Sequence, residues 1–237
     1  EKPKPNGLAK RDTSANILTM IKMGIASVFD NRVLKVKMED ELKSIKWEPT
    51  ARQRRFLSCP ADEKGYGGAA GGGKSDALDI WAFGDQKLNA FNCPDWKSLI
   101  LRRTFPDLER THIQRSMHLF GDIGRYDAQK YRWTFKGGGI LQFGHMKNES
   151  DKYNYKSAAY NRIGFDEATE FTETQYLYLF SRNRTTNRQL KPQMACATNP
   201  GGIGHTWFKR RFVEREDGTK IVPDMEHKYS FEMPDGT

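Results

Sequence analysis

The sequence predicts a three-layer α/β fold with a mostly parallel central sheet. Three observations carry that prediction. Short apolar strands alternate with helical stretches, a glycine-rich loop runs straight into a helix, and one buried strand ends in adjacent carboxylates. At 237 residues the chain suffices for one large α/β domain or two small ones.

Taken in order, residues 14–30 place Ile17, Ile21, Ile25 and Val28 on one helical face, and Leu34, Met38, Leu42 and Ile45 continue in the same style. They predict a helical N-terminal layer. "WEPTARQRRFL" reads as a polar helix start, and "CPADEKGYGG" as a poor strand. The helix after the glycines carries Ala77, Leu78, Trp81 and Ala82 at helical spacing. "SLILRR" is a short apolar strand, and "YRWTFKGGGILQFGHM" a hairpin turning at Gly137 to Gly139. The strand Ile163 to Phe165, a helix through "ETQYLYLFSRN", a strand around Cys196 and a helix over "HTWFKRRF" complete the alternation. This divides the chain into a helical segment over 1–45, a core over 46–215 and an extension over 216–237.

The glycine stretch "GYGGAAGGGKSDALDIW" admits two phosphate-binding readings. Gly65, Gly67 and Ala70 fit the G-x-G-x-x-A of a dinucleotide fold, with Asp85 about 20 residues on as the ribose acid. Gly68, Gly73, Lys74 and Ser75 fit G-x-x-x-x-G-K-[ST] at every fixed position, which is the more specific match. A flexible linker does not run into an apolar helix. Asp85 falls at a helix end instead of a strand tip, which removes the dinucleotide reading.

In the P-loop reading, Gly68, Gly71, Gly72 and Gly73 let backbone N–H groups face a polyphosphate, and the helix containing Lys74, Ser75 and Asp76 aims its positive end at the same anion. Lys74 would reach the β- and γ-phosphates and Ser75 would ligate Mg²⁺. "YNRIGFDEATEF" supplies Asp166 as second metal ligand and Glu167 to orient or deprotonate the attacking water. Gln53 offers one donor and one acceptor to an adenine edge. Thr198 and Asn199, at the tip of the Cys196 strand, can sense a γ-phosphate, although an ordinary Asx-Pro turn explains Asn199 nearly as well.

Composition narrows the class. Three dispersed cysteines without metal-ligand spacing suit a reducing cytoplasm, and no apolar run approaches a membrane span. The net charge of +9 is uneven: residues 174–213 contain no acid but hold Arg182, Arg184, Arg188, Lys191, Lys209, Arg210 and Arg211. Arg102, Arg103, Arg110, Arg115 and Arg125 form a second basic stretch. Either is a footprint for nucleic-acid phosphates or a solvated basic face. No base-reading motif accompanies them, so any binding is expected to be sequence-independent.

"YGGAAGGGKSDALDIWAF", "LILRRTFPDLERT", "YNRIGFDEATEF", "ACATNPGGIGHTWFKRRF" and "PTARQRRFL" together resemble, in order and spacing over about residues 45–215, the ATPase domain of large terminase subunits of tailed bacteriophages. The resemblance implies an ASCE, RecA-like P-loop fold that hydrolyses ATP with Mg²⁺ to drive double-stranded DNA into a procapsid. The partners it implies are a ring of identical subunits, commonly five, on a portal, and a small terminase subunit. The expected location is the cytoplasm of the bacterial host. By this resemblance Lys74 and Ser75 belong to Walker A, Asp166 to Walker B, Glu167 is the catalytic carboxylate, Thr198 and Asn199 fall in the coupling motif, and Gln53 in the adenine motif.

Relatives also carry a C-terminal nuclease; with no acidic cluster left before Thr237, cutting is not expected from this chain. Ala69 and Ala70 stand where some relatives have a Walker A arginine. A finger would then come from elsewhere. The family position for a trans finger is Lys156 here, which lacks the guanidinium fork, and Arg102, Arg103 and Arg162 are rival candidates. A helicase or other ASCE ATPase, and a nucleotide-gated assembly module that does not turn over, are the alternative readings.

Overall fold

A computed structural model describes residues 45–68, 71–85, 87–221 and 228–231. The chain divides into two units, Glu1–Ile45 and Lys46–Thr237. All of the first unit except Ile45, and with it the predicted N-terminal helical layer, lies outside the described residues.

The second unit opens with helix α1 (Ala51–Ser58). Its capping box is reciprocal: the Thr50 hydroxyl accepts from Gln53 N–H, and the Gln53 amide oxygen accepts from Thr50 N–H. Strand β1 (Glu63–Tyr66) leads into the glycine loop and helix α2 (Lys74–Phe83). Strand β2 (Lys97–Arg102) is followed by helix α3 (Phe105–Leu108), a π-helical turn (Glu109–Ile113) and helix α4 (Gln114–Phe120). Then come β3 (Gly124–Asp127), β4 (Arg132–Phe135), β5 (Ile140–His145), β6 (Arg162–Asp166), helix α5 (Glu173–Phe180), β7 (Gln193–Ala197), helix α6 (His205–Phe212) and β8 (Lys228–Phe231).

The strands form one sheet in the order β3-β4-β5-β2-β6-β7-β1-β8. From β5 to β8 every pairing is parallel, and β3 and β4 add an antiparallel edge. β7 stands between the strand before the glycine loop and the strand that ends in Asp166, the ASCE arrangement. β8 falls within the predicted extension over 216–237 and pairs with β1.

Alternation along the strands sends side chains into two packed layers. Leu99, Leu101, Ile163, Phe165, Met194 and Cys196 meet Tyr176 and Leu179 of α5 and Trp207, Phe208 and Phe212 of α6. Helix α2 takes the other face. Gly164 in β6 makes room for it: a Cβ there would stand 3.0 to 3.3 Å from the Leu78 side chain. Because the central strands run parallel, the C-terminal ends of β1, β2, β6 and β7 share one sheet edge, where open α/β sheets bind ligands.

β1 corrects the sequence reading, which found no convincing strand at "EKGY". All four residues are buried despite two charges. Glu63 is held by both guanidinium nitrogens of Arg211 (2.6 and 3.0 Å) and by the Tyr176 hydroxyl (2.7 Å). The Lys64 ammonium donates to the Cys59 and Phe56 carbonyls (2.6 and 3.4 Å) and lies over the Trp81 ring.

Among the described residues no carboxylate pairs with Lys64. Burial, reinforced by the Arg162 charge, lowers its pKa from 10.5 to about 7. Between those values the unfolded chain holds a proton that the folded one has lost, so stability rises with pH across the window and is lowest below it. Lys64→Met is therefore expected to stabilise the fold on the order of 2 kcal/mol at about pH 6, with the gain shrinking toward about pH 10. Urea midpoints of the two proteins at a series of pH values check the sign; a pH-independent difference contradicts it.

Candidate nucleotide site

The glycine loop meets α2 at Gly73, whose left-handed backbone (φ 65°) starts the helix without a side-chain cap. A helix N-terminus without a side-chain cap is the kind of site that takes an anion. A side chain at Gly73 would be strained, and its Cβ would lie 2.5 Å from the Gln53 amide nitrogen. Lys74, 8% exposed, donates to the Gly68 carbonyl (3.0 Å) and to the Asn199 side-chain oxygen (2.9 Å). Burial lowers its pKa, against the charges of Glu167 and Asp166, which favour the ammonium.

One turn on, the Ser75 hydroxyl lies 3.1 and 3.3 Å from the two Asp166 oxygens. Hydroxyl and carboxylate are hard oxygen donors of the kind Mg²⁺ takes, with phosphate and water completing its shell. The pair thus fits the ion without a larger acidic cluster, and none occurs among the described residues.

Asp166 is 2% exposed and ringed by cationic donors. His112 Nε2 is 3.0 Å away and an Arg102 nitrogen 3.2 Å. Burial pushes its pKa up, but the bond and charge of His112, then Arg102 and Ser75, outweigh this and hold it below the ordinary value. His112 is wholly buried, and its Nδ1 lies 2.7 Å from Asp79 on α2. Both ring nitrogens face carboxylates, and only the imidazolium donates from both. Burial opposes that charge, yet the two acids raise the His112 pKa to about 10.

Glu167 follows in a left-handed conformation (φ 52°), a costly state for a residue with a side chain. Its carboxylate accepts from the Asn199 amide nitrogen (2.9 Å) and backbone N–H (3.3 Å). Asn199 therefore joins Lys74 to Glu167 through one side-chain amide.

The family profile described as "Terminase large subunit, T4likevirus-type, N-terminal" matches residues 67–232, well over half of the chain. The chain belongs to this family.

Solved terminases share the fold. The large terminase of a thermophilic bacteriophage matches with a TM-score of 0.54 at 19% identity, over 79% of this chain and 47% of that one. A second structure of that phage's terminase, in complex with ADP, matches with a TM-score of 0.54 at 20% identity, over 79% and 46%. The large terminase ATPase domain of Thermus phage P74-26 matches with a TM-score of 0.55 at 14% identity, over 80% and 83%. The present chain thus spans about half the length of the first two. No curated protein sequence matches it.

Within this terminase chain the remaining site residues fall unevenly. Gln53 is 5% exposed and its amide is engaged at both ends, accepting from Thr50 N–H and donating to the Gly73 carbonyl (2.8 Å). It braces α1 against the loop instead of presenting an open donor and acceptor pair. Asp76 pairs with Arg115 (3.2 Å). Thr198 bonds the Thr169 hydroxyl (2.8 Å), tying the end of β7 to the turn after Glu167.

The finger candidates separate by position. Arg102 reaches Asp166 and, at 3.7 Å, Glu167 of its own chain. Arg103 donates to the Met146 carbonyl and the Gln175 amide oxygen, a structural position. Arg162 is sandwiched between Trp81 and Trp96, 5.2 and 4.6 Å from the ring centres, and donates to the Trp81 carbonyl. That packing gives it no reach toward a neighbour's phosphate. Lys156 is exposed at the end of a 3-10 helix (Glu149–Tyr155).

The sequence reading missed His112 and Asp79. "ERTHI" carries no metal-ligand or catalytic spacing, and Asp79 lies on an otherwise apolar helix face. A buried acid among Ala77, Leu78, Trp81 and Ala82 was the one available signal that a partner was required.

Proposed function

We propose that this chain is the ATP-hydrolysing motor domain of a phage DNA-packaging terminase. The observation that carries the reading is the convergence at one sheet edge of Lys74, the Ser75–Asp166 pair and Glu167, with Asn199 spanning lysine and glutamate. In this reading the α2 N-terminus and Lys74 hold the triphosphate, and Ser75 and Asp166 hold Mg²⁺. The bound ion would neutralise charge on the phosphates. Glu167 takes the proton of the attacking water or orients it.

Asn199 offers a route from hydrolysis to movement. A γ-phosphate that draws Lys74 away breaks the Lys74–Asn199 bond, and of these two partners the Asn199 side-chain amide then keeps only Glu167. The ADP complex of the related terminase supports a nucleotide at such a site.

Family membership supports DNA as the cargo, translocated as double strands on a homo-oligomeric ring at a portal, with a small subunit as partner and the host cytoplasm as location. The acid-free stretch is a weaker argument than its sequence implied. Arg211 is paired with Glu63, Arg210 with Glu173 and Glu216, Lys209 with Glu214 and Lys191 with Asp62. Arg184 and Arg188 are exposed and make the better candidates for phosphate contact.

The test is steady-state ATP turnover against protein concentration, with and without duplex DNA. Turnover that rises with DNA is expected. Nucleotide binding without any turnover favours the assembly-module reading, and strand separation favours the helicase.

A further inference from the structure

His112 is not a member of the nucleotide motifs, yet it is wholly buried beside them. It is 0% exposed, its Nδ1 lies 2.7 Å from Asp79 and its Nε2 3.0 Å from Asp166, and these two partners lie on different elements, α2 and the tip of β6. We propose that His112 is a positioning residue that locks Asp166 to the helix bearing Ser75, so that the two oxygen donors for the divalent cation are held at a fixed separation. The inference rests on the nucleotide reading of the site.

Three observations carry it. Asp166 has two oxygens, and the one nearest Ser75 (3.1 Å) is also the one that His112 and Arg102 engage. The rotation of the carboxylate is thereby restricted, leaving the other oxygen free to turn only slightly. Next, the anchor is on the right body: Asp79 sits one helical turn beyond Ser75 on α2, so any shift of α2 relative to β6 would have to break a bond to the buried His112 ring. Finally, the backbone is irregular where His112 sits. The π-helical turn Glu109–Ile113 interrupts the α3–α4 path, and such turns recur at functional sites. The same turn places Thr111, whose hydroxyl accepts from Arg102 at 3.1 Å. One π-helical turn thus places both groups that face Asp166, His112 itself and, through Thr111, Arg102.

The bland alternative is a core histidine that merely satisfies a buried acid. It predicts lost stability and unchanged metal binding, whereas a brace on a metal ligand changes metal affinity by roughly 10- to 100-fold. The discriminating variants are His112→Asn, whose shorter amide keeps a donor near Asp79 but does not reach Asp166, and His112→Gln, whose amide nitrogen stands near the position of Nε2. Mn²⁺ binding to the chain in the presence of ADP, followed by electron paramagnetic resonance, reads the metal directly without turnover.

The expected result is Mn²⁺ affinity weakened about 10-fold or more in the Asn variant and partly recovered in the Gln variant, with ADP affinity in the absence of metal unchanged. Equal Mn²⁺ affinity in folded wild type and both variants overturns the proposal. If the wild-type chain itself takes up no Mn²⁺ with ADP, the nucleotide reading of the site fails, which is a different outcome. Should the Asn variant not fold, the ring-nitrogen resonances of wild-type His112 are followed as Mg²⁺ is added to the ADP-bound chain. A shift of Nε2 supports the brace, and an unmoved resonance counts against it.

Discussion

Glu167→Gln is expected to lower ATP turnover by roughly 10²- to 10⁴-fold while nucleotide affinity changes little. The amide keeps the length and shape of the side chain, so one of the two bonds from Asn199 and the left-handed backbone at this position are preserved. What is lost is the capacity to accept a proton from water. The backbone cost of φ 52° is itself an argument: a residue is held in a state worth roughly 1–3 kcal/mol only where the surroundings over-determine it. Here they do, through Asn199, two residues beyond β7, and the 3-10 turn Ala168–Glu170, which Glu167 caps. Single-turnover phosphate release, set beside binding of a fluorescent ADP analogue, separates the two effects. Unaltered turnover removes Glu167 from the chemistry, and lost binding assigns it to the fold of the loop.

The parts of this site that were legible in the sequence are those whose chemistry dictates residue type at fixed spacing. Six glycines around Lys74 and Ser75, and an apolar strand ending in Asp166 and Glu167, needed no third dimension. β1 was illegible for the opposite reason. Its charges are neutralised by Arg211 and by backbone carbonyls that sit elsewhere in the chain, so a hydropathy pattern sees a polar segment where the fold has a fully buried strand. The same non-local pairing misled the charge argument. Residues 174–213 lack acids in sequence, but Glu63, Asp62, Glu173, Glu214 and Glu216 come to them in space. A charge count along the chain measures composition, while an electrostatic footprint depends on which charges remain after folding. Gln53 shows a third limit: its residue type suited a base edge, but in the fold its amide accepts from Thr50 at the start of its own helix and donates to Gly73 at the start of α2.

Arg102→Ala is expected to lower turnover by about 10²-fold or more, because a guanidinium beside the reacting phosphates stabilises charge that the transition state spreads over their oxygens. Position favours a role in its own subunit. The guanidinium is 14% exposed, faces Asp166 and Glu167 of the same chain, and is steadied by Thr111. A cis role and a trans role predict opposite results when two inactive proteins are mixed under conditions where rings assemble. If Arg102 served a neighbour's site, a subunit carrying Arg102→Ala would still bring an intact Glu167, its Glu167→Gln neighbour would bring an intact Arg102, and the shared site would turn over. If Arg102 serves its own site, each subunit in the mixture carries one lesion in its own centre, and no combination repairs it. The mixture is therefore expected to stay as inactive as its components. Recovered turnover would move Arg102 to the neighbouring site, and full activity of Arg102→Ala alone would leave the exposed Lys156 as the remaining candidate.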